Sequence, residues 1–461
     1  MGGTDRQDGA MRGSMPMLKR ADITPLARRA SQGGLIALPV AALLFAIFAL
    51  GNWYGLGRNL PAAEANVRAA FAAGVLQDQD WLPGNTGIGR HQYNDCLILY
   101  MAIDQQATPV QLLASPIKPM QRGDESMCHA LRAYAGGDKA AGRTGVWYHQ
   151  YIHGHTMLAR YLLPHLSVDA IRNLYHGIQT LLVLAGLIVA MTTLARGRSQ
   201  TAGLFWLIIF LAFSRWFGLE SYGQSLSHAP SDAVIIAYLL FLAIAAARGG
   251  LGRWCSIGAA AVFGATVAIF EFLTGGIPLG LAIIAGGLPF ALRDRDPRET
   301  LARVIEALAA FCVAVAMCLA LKIGLALWVF GIESFRESAA QLGVRMGIGA
   351  GPADIGPLRM AKSLTKGLNS LAAGMHVMAG AMLLIAICAG IWGARQLIGS
   401  GDAVLKSRAF HLVASNVVIV GMLALLWQHT IIHAWFMDRV FVWTIATGFA
   451  LFALAVRERT A

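Results

Sequence analysis

Charged residues are scarce in this sequence: Asp, Glu, Lys and Arg together make up 13% of the 461 residues. A soluble domain carries about 25% charged residues, so an ordinary soluble protein is excluded. The charges that remain lie between long apolar runs, and hydrophobic residues make up 56% of the chain. This pattern predicts an all-α integral membrane protein, because lipid is the solvent for most of the chain.

Several signatures are missing as well. No P-loop, GxSxG, HExxH or dinucleotide fingerprint occurs in a credible context. The sequence therefore gives no support for ATP-driven transport by this chain alone, and no internal repeat of the transporter type is visible. The formal net charge is +12, but the basic residues do not form one patch, so nucleic acid is not an expected partner. Most of them lie in short loops at helix ends, where the positive-inside rule places them.

Ten apolar segments approach the roughly 20 residues that span a bilayer. They cover approximately residues 34–54, 173–194, 202–219, 230–247, 254–273, 276–292, 305–330, 372–394, 410–428 and 440–456. Alternating basic loops place both termini in the cytoplasm. The predicted organisation is a cytoplasmic basic tail (1–33), a retained first span (34–54), an extracytoplasmic loop domain (55–172), spans two to seven (173–330), a second extracytoplasmic loop (331–371), and spans eight to ten with a short cytoplasmic tail (372–461).

The two predicted loops carry features of their own. Cys96 and Cys128 lie in the first loop, where they pair if that loop faces an oxidising compartment, and two free thiols remain an equal alternative. The second loop has an excess of basic residues that includes Arg336 and Arg345. An anionic substrate and contact with lipid headgroups both explain that excess.

Two clusters of polar residues lie in the first loop. Asp95 precedes the apolar run 97–103, so it is a candidate general base or a helix-capping residue. The run 148–155 contains His149, His153 and His155, and Arg160 follows it. A four-residue spacing puts His149 and His153 on one face of a helix, which suits a metal. Because no acidic or Cys ligand accompanies them, hydrogen bonding to a polar substrate or within the loop is the favoured interpretation.

Two further clusters flank apolar spans on the same predicted side. Residues 220–228, with Glu220 and His228 at the ends, form a short loop rich in hydroxyl groups. Glu271 lies at the end of an apolar span, where a carboxylate is functional or is paired with a cation such as Arg215. The last junction carries His429, His433 and Arg439, a set of donors that suits a lipid-attached phosphate. The alternative for the last set is an interfacial anchor with local pairing of Asp438 and Arg439.

Short motifs within these clusters resemble poorly characterised bacterial membrane proteins associated with the synthesis of cell-surface polysaccharides. The motifs are Asn94-Asp95-Cys96-Leu97, Tyr151-Ile152-His153-Gly154-His155 with Arg160, Phe270-Glu271-Phe272-Leu273-Thr274, and His429-Thr430-Ile431-Ile432-His433 with Arg439. The layout is similar to that of the GT-C class of lipid-linked-sugar glycosyltransferases. The similarity runs from Gly33 onward in short patches, and it departs at Glu271, where Asp is expected, and at Gln428, where Asn is expected.

The resemblance implies a glycosyltransferase at the outer face of a bacterial cytoplasmic membrane, with a polyprenyl-phosphate-linked sugar as donor and a saccharide or lipid as acceptor. It implies that Asp95 is the catalytic base. The expected substrate-binding residues are His153, Arg160, Glu220, His228, Glu271, His429, His433 and Arg439. No cofactor is expected, and a divalent metal remains open.

Two other functions remain open. One is a transporter or flippase of a lipid-linked saccharide, and the other is a polysaccharide ligase or polymerase with the same chemistry. A transporter needs polar residues along a path through the bilayer, and Lys322 is the clearest charge within a span. The polar clusters crowd at one face instead, which favours catalysis at a surface.

Overall fold

The computed structural model describes residues 20–80, 92–120, 123, 125–139, 145–197, 199–270, 275–293, 296–348 and 376–460. Helices dominate this part of the chain. In order, its elements are α1 (Arg20–Gly55), α2 (Leu60–Ala72), α3 (Gln92–Ile103), α4 (Pro109–Ala114), β1 (Ile117–Pro119), α5 (Met127–Ala135), β2 (Gly145–Trp147), α6 (Gly154–Leu162), α7 (Val168–Ala195), α8 (Gln200–Trp216), α9 (Leu219–Tyr222), α10 (His228–Ala247), α11 (Arg253–Phe270), α12 (Gly276–Gly287), α13 (Pro297–Phe330), α14 (Ile332–Arg345), α15 (His376–Ile398), α16 (Ala403–Leu425), α17 (Trp427–Ile432), α18 (Ala434–Met437) and α19 (Val442–Thr460). Short 3₁₀ turns follow α12 (Leu288–Phe290) and precede α19 (Asp438–Phe441).

Eight helices of the described residues are long and apolar enough to cross a membrane: α1, α7, α10, α11, α13, α15, α16 and α19. The multi-pass helical architecture predicted from the sequence is therefore confirmed. The other two predicted spans, 202–219 and 276–292, correspond to the shorter apolar helices α8 and α12. In α8 the aromatic side chains Phe205, Trp206 and Phe210 are buried by neighbouring helices. A buried helix has the same apolar sequence as a lipid-facing span, so composition alone does not separate the two for α8 and α12.

Small residues let the long helices approach closely. Helix α1 packs along α13 and α11, α15 packs along α19, and α7 packs along α8 and α10. At Gly264 an added Cβ would collide with the backbone of Phe311, and at Gly448 it would collide with the backbone of Ala386. Close contact through glycine is the usual way for helices to associate in lipid, where the hydrophobic effect does not drive them together.

The residues between α1 and α7 form short helices packed around α3. Nearly every residue of α3 is buried, and α5 and α6 pack against it. A disulfide bond between Cys96 and Cys128 joins α3 to α5, which answers the question that the sequence left open. Strands β1 and β2 pair antiparallel, with Ile117 opposite Trp147. Because α6 also packs against α1 and α11, this segment is attached to one end of the bundle.

The beginning of the predicted second loop is helical. Helix α14 follows α13 after Gly331, whose φ of 74° turns the chain, and it packs against α13 and α17. It carries Arg336 and Arg345 from the basic set seen in the sequence. The rest of that set (Arg359, Lys362 and Lys366) lies outside the described residues.

Candidate functional site

The predicted polar clusters meet at one end of the bundle, where α7 and α10 begin and where α8 and α16 end. Asp95 on α3 contacts Arg172 on the first turn of α7 and the backbone of Leu226 just before α10. Glu220 lies on α9 at the same end, with an exposed side chain. Glu271 lies outside the described residues, so the prediction for it stays a prediction.

Asp95 is the centre of a buried ion pair. Its side chain is 1% exposed, and one carboxylate oxygen accepts hydrogen bonds from Arg172 Nε at 3.0 Å and Nη2 at 2.7 Å. The other oxygen accepts from the Leu226 amide at 2.8 Å and from the Ser225 hydroxyl at 3.1 Å. Burial raises the pKa of Asp95, and the Arg172 guanidinium opposes that shift. Four donors satisfy the four lone-pair positions of a carboxylate, so an incoming hydroxyl has to displace one of them.

Arg439 is also paired inside the fold. Its guanidinium donates to both oxygens of Asp232, with 2.7 Å from Nη1 and 2.5 Å from Nη2, and both side chains are 0% exposed. The rings of Phe217 and Tyr222 each lie 4.8 Å from its Cζ atom. A bidentate pair sandwiched between two rings fixes the planar guanidinium and neutralises its charge. Arg439 therefore joins α10 to the start of α19, and the predicted pairing with Asp438 involves a side chain outside the described part of the structure.

The remaining histidines at this junction form an aromatic group. His228 lies 3.3 Å through Nε2 from the Asn94 amide nitrogen, and its ring is 5.2 Å from that of Phe436. The rings of His429 and His433 are 4.5 Å apart, and His433 stacks on Phe436 at 5.1 Å. Burial, followed by the nearby Arg345, lowers the pKa of His433 to about 4, so its ring is neutral at pH 7.

His153 has the most unusual backbone of the predicted residues. Its φ is 68°, a left-handed conformation shared by one other non-glycine residue in the described chain, Asn59. Its Nε2 lies 2.8 Å from the carbonyl oxygen of Tyr148, and since a carbonyl only accepts, Nε2 carries the proton. Nδ1 then holds a lone pair, and that buried atom has no hydrogen-bond partner among the described residues. Burial lowers the pKa of His153 well below its ordinary value, and the positive charge of Lys322 adds to the shift.

Two buried cations near His153 have only neutral partners. Arg160 is 3% exposed and donates to the Asn52 side chain at 2.6 Å and to the Met101 carbonyl at 3.2 Å. Lys322 is 4% exposed and donates to the carbonyl of Ala114 and to the Ser115 hydroxyl. Neither forms an ion pair with a carboxylate in the part of the chain that the structure describes. A buried cation without a counter-charge is costly, so this pair favours an anionic ligand.

His149 lies on a turn rather than on a helix. The residues between β2 and α6 form no helix, so the prediction that His149 and His153 share a helix face is wrong. The helical spacing that suited a metal is therefore absent at these two residues. His149 Nδ1 is 2.8 Å from the Ser115 hydroxyl, and its Nε2 is 3.9 Å from a carboxylate oxygen of Glu337. Burial, followed by the charge of Lys322, lowers the pKa of His149 to about 4.

Two more cations stack on tyrosine rings beside this group. The Cζ atom of Arg345 lies 5.3 Å from the ring of Tyr151, and Lys118 Nζ lies 4.5 Å from the ring of Tyr148. The two rings pack edge to face at 5.4 Å. Burial, followed by the charge of Arg345, lowers the pKa of Lys118. Neither cation has a carboxylate partner among the described residues. The cations without such a partner therefore extend from beside His153 to Arg345, which lies near His433.

Sequence reasoning missed the partners of Asp95 and Arg439, which are Arg172 and Asp232. Arg172 appears in the sequence only as the boundary of a predicted span, and Asp232 lies unremarked inside another. The signal was present, since an ionisable residue in or beside an apolar span almost always has an opposite charge nearby. Lys118 and Ser115 gave no comparable signal, because both lie in a polar loop whose path depends on the fold.

Within the described residues, no group of three or more His, Cys, Asp or Glu side chains is arranged to hold a metal ion. No protein family model, no curated protein and no solved structure matches this chain.

Proposed function

We propose that the protein is a membrane glycosyltransferase that uses a polyprenyl-phosphate-linked sugar at the outer face of a bacterial cytoplasmic membrane. The observation that carries the proposal is the pair of buried cations, Arg160 and Lys322, whose partners are all neutral, beside a histidine with a free lone pair. A phosphate supplies the counter-charge that the two cations lack. Charge-assisted hydrogen bonds of this type contribute about 1.5–3 kcal/mol each.

The side of the membrane is part of the proposal. The disulfide bond between Cys96 and Cys128 supports an oxidising compartment for the segment that carries His153. The alternating basic loops of the sequence support the same orientation, with both termini in the cytoplasm. A GT-C-like arrangement, in which the segment after the first span covers the reaction site, is consistent with this placement.

His153 is the base that the geometry favours. Its proton on Nε2 is held by the Tyr148 carbonyl, so Nδ1 is an acceptor aimed by the backbone. In the proposed step, the acceptor hydroxyl gives its proton to Nδ1 while its oxygen bonds to the anomeric carbon. The bond from that carbon to the phosphate oxygen breaks, and polyprenyl phosphate leaves with the electron pair. Asp95, whose oxygens already accept four hydrogen bonds, is better suited to positioning, although its predicted role as base stays a prediction.

Binding of the donor would also make His153 a stronger base. Burial is the largest cause of the lowered pKa of His153, and the positive charges of Lys322 and Arg160 add to it. A phosphate that neutralises Lys322 and Arg160 removes part of that effect, so the pKa rises toward the working pH. A general base is most effective when its pKa lies near the working pH. The base is thus activated when the leaving group is in place.

A transport function receives less support. Lys322, the charge closest to a mid-span position in the sequence, lies about two helical turns from the end of α13. It contacts Ala114 and Ser115, which belong to the segment between α1 and α7. Lys322 therefore belongs to the same end of the bundle as His153.

Binding of a lipid phosphate provides the first test. The purified full-length chain in nanodiscs should bind polyprenyl phosphate more tightly than the uncharged polyprenol. The double variant Arg160→Gln/Lys322→Met should lose about tenfold or more of the phosphate-dependent affinity. The double variant Arg132→Gln/Arg68→Gln, which removes two more exposed charges from the same segment, is the control. Equal affinity of the native protein for the phosphate and the alcohol would overturn the proposal.

Sugar transfer provides the second test. A panel of polyprenyl-phosphate hexoses is offered to the protein, and release of polyprenyl phosphate is followed by mass spectrometry. His153→Asn tolerates the left-handed backbone and removes the imidazole, so release should fall at least about 100-fold. Its affinity for polyprenyl phosphate should remain. Movement of a labelled lipid-linked saccharide across liposomes without any release would favour the flippase instead.

A further inference from the structure

A second positively charged feature lies at the opposite end of the bundle. Helix α7 runs for 28 residues from Arg172 near its start to Arg196 just after its end, a length of about 42 Å. At this far end a cavity of about 260 Å³ is lined by Arg196, Arg248, Arg293 and Arg408. These side chains come from the end of α7, the end of α10, the segment after α12, and α16. No carboxylate is found among the described residues that line the cavity.

Three of the four arginines have no ion pair in the described chain: Arg196, Arg248 and Arg293. Other arginines toward this end form ion pairs with glutamates. Arg29 pairs with Glu299 at 2.8 Å, and Arg253 pairs with Glu306 at 2.5 Å. Unpaired guanidinium groups from separate elements around one cavity are what a phosphate-bearing ligand requires, since each presents a fork of donors.

The backbone gives the cavity its shape. Gly249 and Gly250 have φ values of 95° and 96°, so the chain turns sharply between Arg248 and the start of α11. A Cβ on Gly250 would collide with the backbone of Arg293, which means that only glycine lets these two arginine-bearing segments come together. The contact is held by the hydrogen bond from the Leu251 amide to the Ala291 carbonyl at 2.8 Å.

The surroundings of the cavity indicate an amphiphile. Part of the cavity lining is itself apolar, and it comprises Ala246, Ala247, Phe290 and Leu292. Apolar surface beside a basic cavity suits acyl chains attached to a phosphate headgroup, a combination typical of anionic lipid sites between membrane helices.

We infer that this cavity binds the phosphate headgroup of an anionic glycerophospholipid. The inference is independent of the proposed glycosyltransferase activity, because it uses no residue of the His153 site. A phosphate ion could satisfy the same arginines, but it would make no use of the apolar surface beside them.

The test uses delipidated full-length protein and native mass spectrometry to count bound phosphatidylglycerol and phosphatidylcholine. The native protein should retain phosphatidylglycerol preferentially, and Arg248→Gln/Arg293→Gln should weaken that binding about tenfold or more. The control is Arg395→Gln/Arg459→Gln, which removes two charges beside a smaller cavity that contains Glu458. The control should change the affinity less than about twofold.

A variant that keeps every charge separates the cavity from the general charge of the surface. Ala247 is exposed and lines the cavity, so Ala247→Trp should fill it and displace the lipid without altering the arginines. Equal weakening by both double variants, or full binding by Ala247→Trp, would overturn the inference. Saturable calorimetric binding of inorganic phosphate, with no preference for phosphatidylglycerol over phosphatidylcholine, would assign the cavity to a free anion and overturn the lipid assignment.

Discussion

Arg172 donates two hydrogen bonds to one oxygen of Asp95, at 3.0 and 2.7 Å, and both side chains are almost completely buried. The pair joins α3 to α7, and the second oxygen of Asp95 holds the loop before α10. A carboxylate held in this way stabilises three elements at once. We therefore expect that replacing Asp95 lowers the stability of the fold.

Replacing Asp95 with Asn should destabilise the fold. Asn keeps the size of the side chain but leaves Arg172 as a buried charge without a partner, which costs about 3–5 kcal/mol. The measurement is thermal unfolding in detergent, together with sugar transfer. The double variant Asp95→Asn/Arg172→Gln removes the stranded charge and should recover part of the loss. If Asp95→Asn unfolds like the native protein but loses transfer at least about 100-fold, that result would support Asp95 rather than His153 as the catalytic base.

Arg439→Lys should likewise lower stability even though the charge is kept. Lys cannot reach both oxygens of Asp232 with a planar fork, and it loses the stacking on Phe217 and Tyr222. The expected loss is about 2–3 kcal/mol, from one charged hydrogen bond and the ring contacts. Unfolding of Arg215→Lys serves as the control, because Arg215 stacks on Trp216 alone. A variant with native stability and weakened binding of polyprenyl phosphate would instead support a phosphate-binding Arg439.

The orientation can be tested by labelling single cysteines. The background has serine at the exposed Cys255, Cys312 and Cys388. In cells whose outer membrane alone is permeabilised, Ala73→Cys should react with an impermeant thiol reagent. Ala73 is exposed at the end of α2, and Gly252 is exposed between α10 and α11. Gly252→Cys should react only after the inner membrane is opened. The reverse labelling would put the His153 site in the cytoplasm.

Hydropathy was sufficient to predict the bundle. Each of the eight long apolar helices coincides with a predicted span, since burial in lipid and burial in protein leave the same apolar pattern. The other two predicted spans fall on the shorter apolar helices α8 and α12. Spacing along the chain also placed His429 and His433 together correctly, as their rings lie 4.5 Å apart.

Charge pairing could not be predicted in the same way. Arg439 pairs with Asp232, 207 residues away, and Asp95 pairs with Arg172 across 77 residues. Nothing in one sequence states which distant residues meet. The lack of a carboxylate partner for Arg160 and Lys322 among the described residues is likewise visible only when the fold is known. The substrate-binding role predicted for Arg439 stays a prediction, while two described buried cations without a carboxylate partner, Arg160 and Lys322, lie near His153.

Buried neutral histidines should make the protein less stable in acid, and His149 offers the clearest measurement. Its pKa falls from 6.5 to about 4 in the fold, first because of burial and then because of Lys322. Between these values the unfolded chain binds more protons than the folded chain, so stability rises with pH across that window and is lost as pH falls. At pH 5 the loss from this residue is about 2 kcal/mol relative to pH 7.

His149→Gln should remove that contribution while its amide still reaches the Ser115 hydroxyl. Unfolding midpoints at pH 5, 6 and 7 should therefore fall less steeply for the variant than for the native protein. His129→Gln, at an exposed histidine of α5, should leave the native pH dependence in place. Parallel curves for the native protein and His149→Gln would mean that His149 is protonated in the fold, with Glu337 at 3.9 Å as its partner. In that case protonated His149 would add one positive charge to the cations beside His153 at low pH, and anion binding would strengthen as pH falls.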